Sequence, residues 1–169
     1  DMAFAKGMYA INTKSVVPEV INSLDEDRKL RIMGARHPLL SGDVVPINIE
    51  IGEQNNIMLI TGPNAGGKTV ALKTAGLLVL MAHSGMYVPA REVSMPFFDG
   101  IYVDIGDQQS IEQSLSTFSS HIHNLNKILS AITSKSLVLI DELGSEPSKD
   151  QRALSAVRAR QYFNIIFYW

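Results

Sequence analysis

Hydrophobic and polar positions along the chain change period several times, and each change marks an element. Ile47–Ile51, INIEI, alternates apolar and polar residues, the pattern of a strand buried on one face. Asn56–Ile60, NIMLI, is apolar nearly throughout and predicts a central strand. A helix is predicted from about Lys68 to Met81, and FFDGIYVDI (Phe97–Ile105) reads as a further strand. Phe118, Ile122, Leu125, Leu129 and Ile132 then form one stripe of an amphipathic helix, with Ser116 or Thr117 placed to cap it. SLVLIDE (Ser136–Glu142) reads as a buried strand ending in two carboxylates. Upstream, LRIMGARHPLL alternates until Pro38 and predicts a short strand ending in a turn. Asp1–Ile11 reads as the tail of a helix, and Ser15–Leu30 as a connection whose charges are solvated. Strands alternating with helices predict an α/β fold with a mostly parallel sheet flanked by helices. Ligands are then expected at the carboxyl ends of the strands.

Composition narrows the function classes. The chain has 169 residues, enough for one domain with a real core but tight for two. A net charge of −2 supplies no overall basic field that would draw the chain onto DNA or anionic lipid. Without cysteine there is no disulfide and no zinc–thiolate site, which fits a cytoplasmic location. No apolar run reaches the roughly 18 residues that span a bilayer, so no membrane association is expected. The chain opens on Asp1 and reads as a piece of a longer protein.

The chemistry concentrates after NIMLI. Gly62-Pro63-Asn64-Ala65-Gly66-Gly67-Lys68-Thr69 satisfies the phosphate-loop spacing G-x-x-x-x-G-K-[ST], between an apolar strand and a helix. Gly62 permits a tight exit from the strand, and Gly67 lets the backbone approach phosphates. Successive N–H groups at a helix N-terminus then favour an anion. Lys68 is placed to reach the outer phosphates, and the Thr69 hydroxyl to ligate Mg2+. A glycine-rich turn with an incidental lysine is the plain alternative. Some seventy residues on, Asp141 and Glu142 end a buried strand. In that role Asp141 holds Mg2+ through its water shell, and Glu142 polarises the water that attacks the γ-phosphate. The plain alternative is a strand that ends in ordinary surface charges.

ITGPNAGGKTVALKTAGLLVLMAHSGMYVPA, FDGIYVDIGDQQSIEQSLSTFSSH and SLVLIDELGS together resemble the ATPase domain of the MutS family, and its second bacterial subfamily in particular. ARHPLL and VVP fit the segment before the loop, so the resemblance covers roughly Asp1 to Pro147. It implies an engine of the ATP-binding-cassette type that binds ATP and Mg2+ and works as a homodimer, with nucleotide sandwiched between subunits. Ser116 corresponds to the signature serine that reaches the partner's γ-phosphate in trans. Val70 continues the nucleotide-binding segment, and Val44 and Val45, with Pro46, flank the adenine. His37 and His121 read more readily as structural. Residues 1–30 would be the end of an upstream helical lever with its connection, and 31–169 the ATPase domain. The subfamily binds branched DNA and suppresses recombination, splits collided ribosomes in some bacteria, and carries a C-terminal endonuclease module in many members. Those target-reading parts are not expected in this chain.

The chain departs from the family after DELGS. Glu146-Pro147-Ser148 follows at once where the family has Gly-Thr and an acidic-Pro turn, and no switch histidine is recognisable afterwards. FNIIFYW (Phe163–Trp169) is β-prone and could add a strand. Three other readings stay open. A metabolite kinase lacks its arginine-bearing lid, because Arg91 alone lies between Thr69 and Glu142. A transporter ATPase lacks its L-S-G-G-Q signature, and a degenerate piece would bind nucleotide without turning it over.

Overall fold

The computed structural model describes residues 1–21, 29–52, 56–63, 66–105, 114–141 and 164–168, with the backbone alone at 114–122 and 164–168. In chain order the elements are α1 (Met2–Thr13), β1 (Glu19–Ile21), β2 (Leu30–Ala35), β3 (Ile47–Ile51), β4 (Ile57–Ile60) and α2 (Lys68–His83). There follow β5 (Glu92–Pro96), β6 (Gly100–Asp104), α3 (Ser114–Ala131), β7 (Ser136–Ile140) and β8 (Asn164–Tyr168). They divide into two units. The first comprises Asp1–Asn55 with Asn64–Phe97, and the second Asn56–Pro63 with Phe98–Trp169.

The first unit holds a four-stranded sheet in the order β1-β5-β2-β3. β1 pairs with β5 in parallel, whereas β2 pairs antiparallel with both β5 and β3. Alternation explains the antiparallel part. Ile49 and Ile51 of β3 are buried while Asn48 and Glu50 are exposed, the signature of a sheet with one wet face. On the wet side Arg31 bonds Glu92 and approaches Glu50 at 3.6 Å, and Lys29 meets Glu50 at 3.3 Å. These exposed pairs fix register more than they stabilise. Gly34 has a positive φ of 64° at an irregularity in the β2–β3 pairing.

α2 packs on β2 and is buried over most of its length, including Leu72, Ala75, Leu78 and Val79. Such burial is that of a core helix rather than a surface one. Lys6 of α1 donates from Nζ to the carbonyls of Ser84 (2.9 Å) and Gly85 (3.4 Å), neutralising the carboxyl-terminal end of α2. Arg36 does the same for α1, donating from Nη2 to Thr13 O and Lys14 O at 2.9 and 3.0 Å.

In the second unit the order is β4-β8-β7-β6, and each neighbouring pair runs parallel. β7 is buried at every position. Leu125, Ile128 and Ile132 of the α3 segment pack with Val138 and Ile140, and half-buried Tyr102 and Leu129 complete the cluster. At the opposite end of the strands, the Asp99 carboxylate accepts from Thr133 Oγ1 at 2.6 Å and Ser136 Oγ at 3.2 Å. That closes the turn into β7.

Three expectations need correction. The single, mostly parallel sheet of ATP-binding-cassette type is replaced by two sheets, one of them mixed with antiparallel pairings dominant. β4 is not central: it ends the strand order, with Ile57 38% and Leu59 55% exposed. An apolar run reports a demand for burial, and the pairing decides whether it is met. Ser116 and Thr117 are not caps, because α3 already runs from Ser114.

His83, in the last turn of α2, stacks on Phe97 with ring centroids 5.0 Å apart and an interplanar angle of 5°. Burial holds its pKa below the ordinary value, against an opposing hydrogen bond to the Pro96 carbonyl. The folded state therefore takes up a proton less readily than the unfolded chain. Stability is fully present above about pH 6.5, the ordinary histidine value, and declines as pH falls through it. Thermal melts from pH 7.5 to 5.5 should show that decline. His83→Phe, which keeps the stack without the proton, should flatten it; an equally steep decline in the variant refutes the assignment.

Candidate phosphate-binding site

The first unit holds the start of the helix that follows the loop. Gly67 adopts the left-handed conformation at φ 74° and ψ 17° and is the N-cap of α2. Only glycine enters that conformation without strain, so the chain can turn from the loop straight into helix. Gly67 O accepts Ala71 N–H at 2.9 Å, which closes the first helical turn. Among the described residues no side-chain hydrogen bond caps the helix at Gly67. Lys68 is the first residue of α2 and is buried at 6% exposure. Thr69 is half-buried, and Val70 is 42% exposed. Farther upstream Val44 donates to Gly42 O at 2.9 Å in a tight turn. Val45 is 81% exposed, which removes an ordinary core role for it.

The second unit carries Gly62 and Pro63 immediately after β4, and Asp141 immediately after β7. Asp141 is 4% exposed, and its N–H donates to the Asp104 carbonyl at 2.9 Å. Asp104 ends β6, in register with Ile140, and is itself 6% exposed. Two neighbouring parallel strands thus each end in a buried carboxylate. Sequence reasoning singled out Asp141 and passed over Asp104. The signal was present, since GIYVD ends as SLVLID does, in an aspartate after a β-prone run.

Asn64, Ala65 and Glu142 lie outside the described residues. Ser116 lies in the first turn of α3, where only its backbone is described. Among the described residues there is no cluster of three or more His, Cys, Asp or Glu. Mg2+ takes one or two protein oxygens and fills its shell with water and substrate phosphate. The Thr69 hydroxyl and Asp141 carboxylate are hard donors of the required kind. A thiolate or imidazole metal has no comparable set among the described residues.

Comparison with known proteins gives the family. The family model described as MutS domain V matches residues 58–162. The chain is similar to the endonuclease MutS2 of Fusobacterium nucleatum, 51% identical over 166 residues, 97% of this chain and 21% of that protein. It is 53% identical over 147 residues to the endonuclease MutS2 of Alkaliphilus metalliredigens, covering 86% of this chain and 18% of that one. Against that of Lactobacillus acidophilus the identity is 49% over 159 residues, 93% and 20% of the two chains. The chain therefore spans about a fifth of the length of the curated relatives it matches.

The left-handed turn is testable on its own. A Cβ built on Gly67 meets no atom within 4 Å, so any penalty comes from the backbone rather than from a clash. Gly67→Ala should therefore destabilise the folded chain by about 1–2 kcal/mol. Denaturant titration is the measurement, and an unchanged midpoint would show that residue 67 leaves the left-handed region.

Proposed function

Because this chain belongs to the MutS family, we propose that it is the ATP-binding and ATP-hydrolysing part of a MutS-like protein that works on DNA. The carrying observation is local. A glycine-rich loop ends in a left-handed residue and enters a buried helix whose first side chain is Lys68. That arrangement offers backbone donors, the positive end of a helix and one ammonium to a polyphosphate.

Each chain residue then has a role. Gly62 and Asn64 to Gly67 wrap the phosphates with main-chain N–H groups, and Pro63, which has no N–H, shapes the loop between them. Lys68 binds the outer phosphates, where charge grows during transfer. Thr69 and Asp141 would hold Mg2+, directly and through water, and the bound ion would supply positive charge to the outer phosphates. Glu142 orients the attacking water. Val44 and Val45 provide apolar contact to the adenine, beside the Val70 end of the loop. Ser116 acts on the nucleotide of a second copy, at the start of a helix whose N–H groups favour an anion. The active species is a homodimer, and one chain by itself offers half of the donors.

In the longer polypeptide the targets are branched DNA and recombination intermediates, or collided ribosomes, reached mainly through parts outside this chain. The relatives' name, endonuclease, belongs to proteins about five times as long and supports the DNA reading more than the ribosomal one. The cytoplasm is the proposed location. No helix among the described residues is long and apolar enough to cross a membrane.

Two measurements test the reading. Lys68→Ala removes a charge-assisted contact of roughly 1.5–3 kcal/mol, so ATP affinity should fall about ten- to a hundredfold by calorimetry. An unchanged affinity sinks the loop assignment. Turnover of the 169-residue chain should be low and rise with protein concentration, since each site borrows Ser116 from a second copy. A robust rate independent of concentration would show a site complete within one chain.

A further inference from the structure

Asp104, the last residue of β6, has a buried carboxyl group that the nucleotide reading leaves without a role. Cα partners in parallel strands turn their side chains to the same face of the sheet. Asp104 is partnered with Ile140, and Tyr102, two residues earlier on β6, shares that face by alternation. Ile140 and Tyr102 both belong to the cluster packed by α3. Asp104 therefore faces α3, and its neighbours on that face are an isoleucine and a tyrosine. A carboxyl group taken out of water at such a position weakens the fold unless it holds something in place.

The lengths of the elements show what it can hold. β6, α3 and β7 form a parallel strand–helix–strand unit, so α3 runs back against the strands. The helix ends near their amino ends. Tyr102 Oη donates to Ala131 O at 3.2 Å, and the turn after Ala131 closes on Asp99 through Thr133 and Ser136. The 18 residues of α3 span about 27 Å, whereas the five of β6 span about 17 Å. The first turns of α3, Ser116 among them, therefore run on past the carboxyl ends of β6 and β7. Asp104 is the last residue of β6 before that overhang, and its carbonyl accepts the Asp141 N–H at 2.9 Å. One residue thus touches Asp141 through its main chain and faces α3 through its side chain.

We propose that Asp104 is a positioning residue, which sets the overhanging turns of α3, and with them Ser116, relative to Asp141. The proposal rests on the nucleotide reading and deepens it, since that reading gives Asp141 to Mg2+ and Ser116 to the nucleotide of a second copy. Asp104 touches neither and acts through its two neighbours. Closely packed elements shift in steps rather than smoothly, so a change in the order of Asp141 is passed to the helix through this residue.

Hydrogen exchange of the α3 amides, with and without Mg-ATP, tests it on the 169-residue chain. Mg-ATP should slow exchange over residues 114–124 about tenfold in the unaltered chain. Asp104→Asn keeps the shape of the side chain but replaces the acid by an amide. It should bind Mg-ATP within about twofold of the unaltered affinity by calorimetry, while the slowing falls below about twofold. Asp104→Glu, which restores the carboxyl group, should recover part of the slowing. Tyr102→Phe is the control for plain loosening of the helix. It should speed exchange near Ala131 with or without nucleotide and leave the slowing at 114–124 in place. If Asp104→Asn does not fold by circular dichroism, Asp104→Ser takes its place with the same expectation. Equal slowing in the unaltered chain and the Asp104 variant overturns the proposal and leaves the nucleotide reading standing. The same holds if Mg-ATP binds without slowing α3, or if Tyr102→Phe abolishes the slowing as well. Failure of the unaltered chain to bind Mg-ATP overturns the nucleotide reading, and the proposal with it.

Discussion

Burial of α2 is the constraint on which the first unit depends. Leu72, Ala75, Leu78 and Val79 leave almost no room to rotate or slide the helix, since closely packed interiors deform in steps rather than smoothly. Shaving one of these side chains would leave a cavity costing a few kcal/mol. Lys6 and the His83–Phe97 stack fix the far end of the same helix. Fixed this way, the helix presents its first turn at a set position. Pre-ordering of this kind turns a weak set of main-chain donors into a binding site, because the entropy of arranging them is lost during folding rather than during binding.

The second unit brings two carboxyl groups to neighbouring strand ends. Asp141 and Asp104 sit at the ends of adjacent parallel strands, joined by a main-chain hydrogen bond. The two carboxylates are not equivalent in direction. Asp104 is in register with Ile140, which packs with the α3 segment, so strand alternation sends Asp141 toward the other face of the sheet. The register therefore turns two buried carboxyl groups toward opposite faces of the sheet.

Legibility in the sequence followed the range of the interaction. The helix from Lys68 after the glycine-rich loop was readable because its start signal is local. The α3 stripe was readable because Leu125, Leu129 and Ile132 follow a helical period, although Ile128 joined the buried cluster beside them. β5 was missed: Val93 and Met95 alternate inward, but the run is short and bounded by Arg91 and Pro96. β1 was hidden in a segment read as a charged connection. The sheet partition was not legible at all, because pairing between distant segments leaves no local periodicity. The same limit explains β4, whose apolar run fits a central strand as well as the last position in a sheet. Asp104 marks the corresponding limit at the site, since its interest comes from the neighbouring strand and not from its own surroundings in sequence.

β8 carries the contrast further. The motifs fade well before it, yet Asn164–Tyr168 runs between β4 and β7 with parallel partners on both sides. A strand in that position must supply main-chain donors and acceptors on both edges and avoid proline, and NIIFY meets that requirement with β-prone residues. Ladder pairing asks little about side-chain identity, so a strand can persist where a recognisable motif does not. Phosphate binding asks the reverse: it tolerates few substitutions at Gly67 or Lys68 but needs only one turn of helix and the loop before it. Fold and chemistry therefore draw on different information in one chain. β8 can keep its pairing where the motifs no longer continue.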